Sequence, residues 1–465
     1  MTDAPTLAPA AVRSAQQLSD HFLAEGIAHH RAGRLADAVG AYGRALAADG
    51  TNRGAANNMG VALRVLGRRE AAEALYRRCL ALDPADASAS VNLGNVLRDL
   101  GRLAEAEAAH RHAVDLEPGG RGGAYGLGLV YRDAKRLDES LEWLEKAVAV
   151  APDDPDINWD LAQTLLCAGD YRRGFAQYEW RWRLKDVRRP DYRLPAWTGQ
   201  PLHGGTLLLH GEQGFGDVIQ FARFAPLAAT RAGAPVVLHV RPELVPLLDG
   251  QLPGVAAVVP TTAPPPRCDA VAPLLSVPHL LGLERADISP APYLRPVPRR
   301  LTLPAPPGGA RLKVALCWQG SPTQKNDRNR SLPFAALLPL LGNAEVAFYS
   351  VQKGEAAKDP AAWGVAPLVP DLDPLLGDFA DSSAVLAAMD VVITADTSVL
   401  HVAAAMGKPA WVLLSVFHDW RFDAADSIDT WYQGVRVFKQ TTPGDWTGPV
   451  ARVAAALGEL LETAR

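Results

Sequence analysis

The sequence predicts an α-helical solenoid followed by an α/β region, and three observations carry that prediction. A glycine returns every 34 residues, at Gly26, Gly60, Gly94 and Gly128, and a small residue stands twelve positions after each, at Ala38, Ala72, Ala106 and Ser140. Later in the chain, short apolar runs alternate with amphipathic stretches, the pattern of buried strands between helices. Between the two regimes, the Pro- and Arg-containing residues 186–202 break helical periodicity. A fixed period of this length means that each unit is one helical hairpin, unable to bury its apolar stripe alone, so neighbours must stack into one elongated core.

The remaining columns of the repeat fall into phase. Tyr42 and Tyr76 recur, as do Ala45, Ala113 and Ala147, and Pro84, Pro118 and Pro152, while Leu63, Leu66, Leu97 and Leu100 supply an apolar stripe at helical spacing. The pattern resembles the tetratricopeptide repeat, which implies a protein-binding module. Lys135 and Leu144 depart from it, standing at the usual glycine and aromatic positions of the fourth unit. A fifth, decayed unit around Leu161, Gly169 and Tyr178 is expected to cap the stack, which sets the repeats at residues 17–185 behind a flexible tail at 1–16. His30, Arg64, Arg98 and Arg132 form a column four residues after the signature glycines, and Asn58 and Asn92 form a second. First helices of such hairpins line a groove, so Asn58, Arg64, Asn92, Arg98 and Arg132 are the expected contacts for an extended acceptor peptide. A solvated helix face is the competing reading.

Composition bounds the function. At 465 residues the chain exceeds one ordinary core, and about three domains are expected. A net charge of -4 gives no whole-chain attraction to nucleic acid or to an anionic membrane. Cys79, Cys167, Cys268 and Cys317 lack metal or disulfide spacing, so free thiols are expected, with neither disulfide nor zinc. No run approaches the ~18 apolar residues of a membrane span, and the start lacks a signal-peptide pattern, which together read as a cytoplasmic chain.

In the second regime, strands are expected at 206–210, 236–240, 256–259, 312–318, 346–351, 391–395 and 411–415. Alternation with helices argues for parallel sheets, and the Pro-, Arg- and Gly-rich residues 295–309 divide them. The expectation is a linker at 186–204 and two Rossmann-like domains, at 205–300 and 310–465, facing one another across a cleft, which the resemblance given below makes the acceptor side and the donor side respectively.

Two strand-to-helix loops carry the chemistry. Glu212-Gln213-Gly214-Phe215-Gly216-Asp217 follows the first strand, where Gly214 and Gly216 allow a tight turn and close approach to a ligand, and Asp217 sits on the first helical turn at the cleft edge. Helix capping explains an aspartate there equally well. Asp396-Thr397-Ser398 opens the second helix, whose free amides suit a phosphate, with His401 one turn on. A core histidine satisfied by a carbonyl is the alternative. Lys408, Asp419, Trp420 and Arg421 add charges able to neutralise a diphosphate leaving group. Arg328 and Arg330, in a polar, basic loop suited to an anionic substrate, and Gln352 and Lys353, at a strand end, are the further candidate contacts, with a solvated loop as the competing reading of the first pair. The chain contains no H-E-x-x-H, Walker A or G-x-S-x-G motif.

Taken together, Tyr178-Glu179-Trp180-Arg181-Trp182, the 212–217 loop with Gln220 and Arg223, Asn326-Asp327-Arg328-Asn329-Arg330-Ser331, Gln352-Lys353-Gly354, Asp396-Thr397 with His401, Gly407-Lys408-Pro409, Asp419-Trp420-Arg421 and Trp431-Tyr432 resemble heptosyltransferase-like GT-B glycosyltransferases. Members of that family occur fused behind tetratricopeptide repeats in bacteria. The whole arrangement is also similar to protein O-glycosyltransferases, including flagellin nonulosonate transferases. The resemblance implies two facing Rossmann-like domains, a general-base role for Asp217 toward the acceptor hydroxyl, and nucleotide-sugar binding by Asp396, Thr397 and His401. The expected activity is metal-independent transfer of a sugar from a nucleotide-sugar co-substrate, with no other cofactor, to a protein acceptor held by the repeats. A non-catalytic adaptor with a ligand-sensing GT-B body, and another sugar-nucleotide enzyme of the same fold, are the alternatives.

Overall fold

The computed structural model describes residues 14–306, 309–321, 327–416, 418–422 and 428–463. Residues 1–13 of the expected tail lie outside the described residues, and the first helix begins at Ala15. Two compact units divide the chain, Met1–Leu161 and Ala162–Arg465.

The first unit is a series of helical hairpins: α1 (Ala15–Arg31) with α2 (Leu35–Ala48), α3 (Arg53–Val65) with α4 (Arg69–Leu82), α5 (Ala87–Asp99) with α6 (Leu103–Leu116), and α7 (Arg121–Asp133) with α8 (Leu137–Val150). The signature glycines have one steric reason. A Cβ on Gly26, Gly60, Gly94 or Gly128 would lie 2.4, 2.6, 2.5 or 2.6 Å from Tyr42, Tyr76, His110 or Leu144 respectively, sixteen residues on in each case. The bare backbone of the first helix is thus the seat for one large, buried side chain of the second. Hairpin turns need the left-handed conformation, which Gly33, Gly67 and Gly101 adopt at φ +74°, +78° and +76°; in the fourth repeat Lys135 takes it, at +60°.

The arginine column is not a row of free donors. Arg64 Nε donates to Asp99 at 2.6 Å, Arg98 Nε to Asp133 at 2.6 Å and Arg132 Nη1 to Asp160 at 2.7 Å. Each arginine therefore staples its hairpin to the next, so Arg64, Arg98 and Arg132 have a structural role beside the peptide contact expected of them. Asn92 is likewise bonded to Asn57 at 2.9 Å, while Asn58 is partly exposed on the same helix.

Helix α9 (Pro155–Cys167) leads into the second unit, where α10 (Tyr171–Tyr178) and a 3₁₀ turn, Glu179–Arg183, lie against two parallel sheets. The first sheet has strands β1 (Leu207–His210), β2 (Val236–Val240), β3 (Val255–Pro260) and β4 (Ala270–Pro273) in the order β3-β2-β1-β4. The second has β5 (Leu312–Cys317), β6 (Val346–Ser350), β7 (Val391–Ala395), β8 (Ala410–Leu414) and β9 (Val435–Lys439) in the order β6-β5-β7-β8-β9. Chain order reverses between β1 and β4 and between β5 and β7, which opens a crevice at the carboxyl ends of those strands. The expected linker is partly sheet: Trp197 N–H donates to Val271 O at 2.8 Å and Val271 N–H to Pro195 O at 2.9 Å, so residues 195–197 cover the free edge of β4.

Candidate active site

The loop after β1 is held in a strained shape by side chains from several elements of the unit. Gln213 has φ +59°, unusual for a residue with a side chain. Its carbonyl accepts from Arg241 at 2.7 Å, and its side-chain oxygen from Tyr178 at 3.1 Å. Next to it, Glu212 forms a two-point pair with Arg181, at 2.6 and 3.2 Å. Arg181 is 1% exposed and also donates to Glu179 at 2.6 Å and to Ser276, in the turn after β4, at 2.7 Å. The aromatic motif at the end of α10 is therefore a brace under the cleft loop of the first sheet.

From that loop the helix Phe215–Ala222 runs back, and Asp217 lies on its first turn. One Asp217 oxygen accepts from Gly214 N–H at 2.7 Å, an N-terminal cap as the capping alternative expects; the other accepts from Arg421. Facing this helix is Ser398–Ala405, which follows β7 and is capped by Thr397, whose hydroxyl accepts from Val399 N–H at 3.3 Å. The two helices touch where a glycine is required: a Cβ on Gly216 would stand 2.7 Å from the His401 ring. His401 is buried and its Nδ1 is 2.9 Å from the Tyr432 hydroxyl. Burial, helped by the Arg421, Arg330 and Arg223 cations, pushes its pKa well below the usual histidine value, so the ring is neutral.

Arg421 joins the halves. Its Nε donates to Gln220 at 2.5 Å, its Nη1 to Asp419 at 2.7 Å and its Nη2 to Asp217. Burial opposes its charge, but Asp419 and Asp217 more than offset that and hold it firmly protonated. Asp396, 8% exposed, is paired with Arg330 at 3.3 Å, and the Arg330 guanidinium also donates to the Asp396 carbonyl. Burial raises the Asp396 pKa against the pull of Arg330, and the Asp419 carboxylate adds to the rise.

The structure thus brings Asp217, His401, Asp396, Thr397, Ser398 and Arg330 together at the carboxyl ends of β1 and β7, with the loop Glu212, Gln213, Gly214 and Gly216 beside them. Other expected contacts stand elsewhere. Gln352 lies beneath the β5 turn, where its oxygen accepts from Trp318 and Gln319 N–H at 3.0 and 2.8 Å and its nitrogen donates to Gln319 O at 3.0 Å; its amide is spent on shaping the turn, not on a ligand. Lys353 is tied to Asp373 and to the Leu376 carbonyl, both at 2.6 Å. Lys408 follows the far end of the 398–405 helix and precedes β8, which puts it at the opposite edge of the sheet, donating to Ala387 O at 3.2 Å. The βα crossover explains this: a helix packed on a parallel sheet returns the chain to the starting edge. The side chain of Arg328 lies outside the described residues. Conversely, Gln220 and Tyr432, which the sequence singled out only as motif residues with no role, enter the site. Gln220 is one helical turn after Asp217, and that spacing is the signal that could have found it. Among the described residues no group of three or more metal-ligating side chains occurs, the four cysteines are free, and no helix is long and apolar enough to cross a membrane.

Comparison with known proteins bears most directly on the repeats. The tetratricopeptide-repeat family matches residues 23–87, 57–121 and 91–155, so the stacked hairpins are a tetratricopeptide solenoid. Protein FlbA of Caulobacter vibrioides is 27% identical over 322 residues, 64% of this chain and 54% of that protein, so the chain spans about half the length of this curated relative. Among solved structures, PilF of Pseudomonas aeruginosa is similar at 21% identity and a TM-score of 0.34, over 39% of this chain and 81% of that one. A thermophilic TPR protein of Thermus thermophilus is similar at 23% identity and a TM-score of 0.33, over 36% of this chain and 93% of that one.

Proposed function

We propose that the second unit is a metal-independent GT-B glycosyltransferase and that the repeats recruit its protein acceptor. One observation supports this above the others: the helices that open at Asp217 and at Thr397, each at the reversal point of its own parallel sheet, meet so closely that only glycine fits at position 216. On this reading a carboxylate and a helix amino end share one crevice.

In this reading the acceptor hydroxyl approaches Asp217, which takes its proton as the new glycosidic bond forms. The positive amino end of Ser398–Ala405, with Arg330 and Arg421, stabilises the charge that grows on the departing phosphate. Phosphate stabilisation rests on arginines and helix amides, so no metal ion is invoked. His401, neutral, contributes a hydrogen-bonding nitrogen rather than a charge. The likeness to flagellin nonulosonate transferases makes flagellin the first acceptor to try.

The test is transfer by Asp217→Asn. Loss of a general base lowers turnover by roughly 10²–10⁴-fold, while donor binding persists. Undiminished turnover in that variant removes the proposed base.

A further inference from the structure

We propose, on the glycosyltransferase reading above, that Arg421 is a shared counter-ion: it neutralises Asp217 in the free protein and turns to the leaving phosphate as transfer proceeds. Both Asp217 oxygens are engaged, one by Gly214 N–H at 2.7 Å and the other by Arg421, so the base is not free while that pair stands. Arg421 is 7% exposed, and its guanidinium lies 4.7 Å from the Trp420 ring centre. Gln220 fixes its Nε and Asp419 its Nη1, so the contact to Asp217 can be given up while the other two hold the side chain in place.

Charge balance gives the exchange its direction. Around Arg421 and Arg330 stand three carboxylates, Asp217, Asp396 and Asp419, close enough to act on one another. The Asp217 carboxylate therefore competes with any entering anion for the Arg421 cation. During transfer the acceptor O–H bond breaks, its proton passes to Asp217, and the acceptor oxygen bonds the anomeric carbon. The bond from that carbon to the phosphate oxygen breaks, with its electron pair leaving on the phosphate. Asp217 loses a negative charge in the step in which the phosphate gains one, so a single cation serves both in turn.

The experiment is calorimetric titration of the full chain with inorganic pyrophosphate. Asp217→Asn removes the competing charge and is expected to bind pyrophosphate roughly tenfold more tightly than the wild type, a 1.4 kcal/mol change by the affinity relation. Arg421→Ala is expected to bind at least roughly tenfold more weakly. Should Asp217→Asn fail to fold by circular dichroism, Asp217→Ser removes the same charge. Glu355→Gln, whose side chain is 91% exposed, controls for net charge and is expected to leave binding unchanged. Wild-type binding with no tightening in the Asp217 variants overturns the shared counter-ion and leaves the donor reading standing. Equal tightening in Glu355→Gln also overturns it. Absence of pyrophosphate binding in wild type and variants alike overturns the phosphate crevice itself, and the counter-ion with it.

Discussion

Arginine–carboxylate pairs serve both units, but under opposite conditions. In the repeats each arginine of the column meets one aspartate of the next hairpin, and the arginine side chains stay 34%, 22% and 21% exposed at Arg64, Arg98 and Arg132. In the second unit Arg181 and Arg421 are 1% and 7% exposed, and each satisfies several partners drawn from distant parts of the chain. Water can replace one partner of an exposed pair at little cost; it cannot reach a buried one. The same bond is therefore a repeated staple in one unit and a keystone in the other.

The contrast is broken most severely at Arg181. Arg181→Leu leaves the 8% exposed Glu212 and the partly buried Glu179 without their cation, and losing one partner of a buried pair costs about 3–5 kcal/mol. Hydrogen exchange read by mass spectrometry is expected to show lost protection over the loop 211–217, with Arg181→Lys recovering part of it, since lysine restores the charge but not the two-point geometry. Intact protection in Arg181→Leu means the brace is dispensable.

Buried imidazoles sharpen the same comparison. His401 has a hydroxyl partner, whereas His110, fully buried in the third repeat, has none on either nitrogen among the described residues. Burial, with smaller contributions from Arg98 and Arg64, lowers the His110 pKa to about 4. The unfolded chain takes up a proton below about 6.5 while the folded one does not until about 4, so stability falls as the pH drops through that window, by on the order of 3 kcal/mol in all. His110→Leu, which copies the Leu144 solution of the fourth repeat, is expected to flatten this acid dependence. Urea unfolding of the repeats between pH 7 and pH 4 checks it, and parallel curves for the two proteins exclude the imidazole as the cause.

Local features of the fold were legible in the sequence. The glycine period located the hairpins because the reason for each glycine, a ring or branched side chain seated sixteen residues on, repeats with the chain. The cleft loops were legible because tight turns and helix starts have their own residue chemistry at Gly214, Gly216 and Thr397. What escaped was pairing across distance. Arg421 meets Asp217 across 204 residues, and nothing local encodes that contact. Lys408 was misplaced because nearness in sequence to the 398–405 helix was read as nearness to its amino end. The decayed fifth repeat also carries a contact the period did not announce: Tyr171, Phe175 and Tyr178, one buried face of α10, pack on Phe221, Trp420 and Trp431 within the second unit. Three aromatics on so short a helix were the available sign.

The smallest effect tests the staple itself. Arg98→Ala removes the 2.6 Å pair to Asp133, whose side chain is 11% exposed against 22% for the arginine. Because solvent reaches the arginine, the loss is expected to stay below about 1 kcal/mol. The partner column was readable, since the aspartates at 99 and 133 each follow an arginine of the preceding repeat by 35 residues. The third staple departs from that offset, Arg132 reaching Asp160 only 28 residues on, where the repeat has decayed; peptide recognition imposes no acidic partner at either spacing. If Arg98→Ala leaves repeat stability within about 1 kcal/mol yet abolishes binding of the acceptor protein by pull-down, the arginine belongs to the groove as well. Equal retention of acceptor by both proteins confines it to holding hairpin to hairpin.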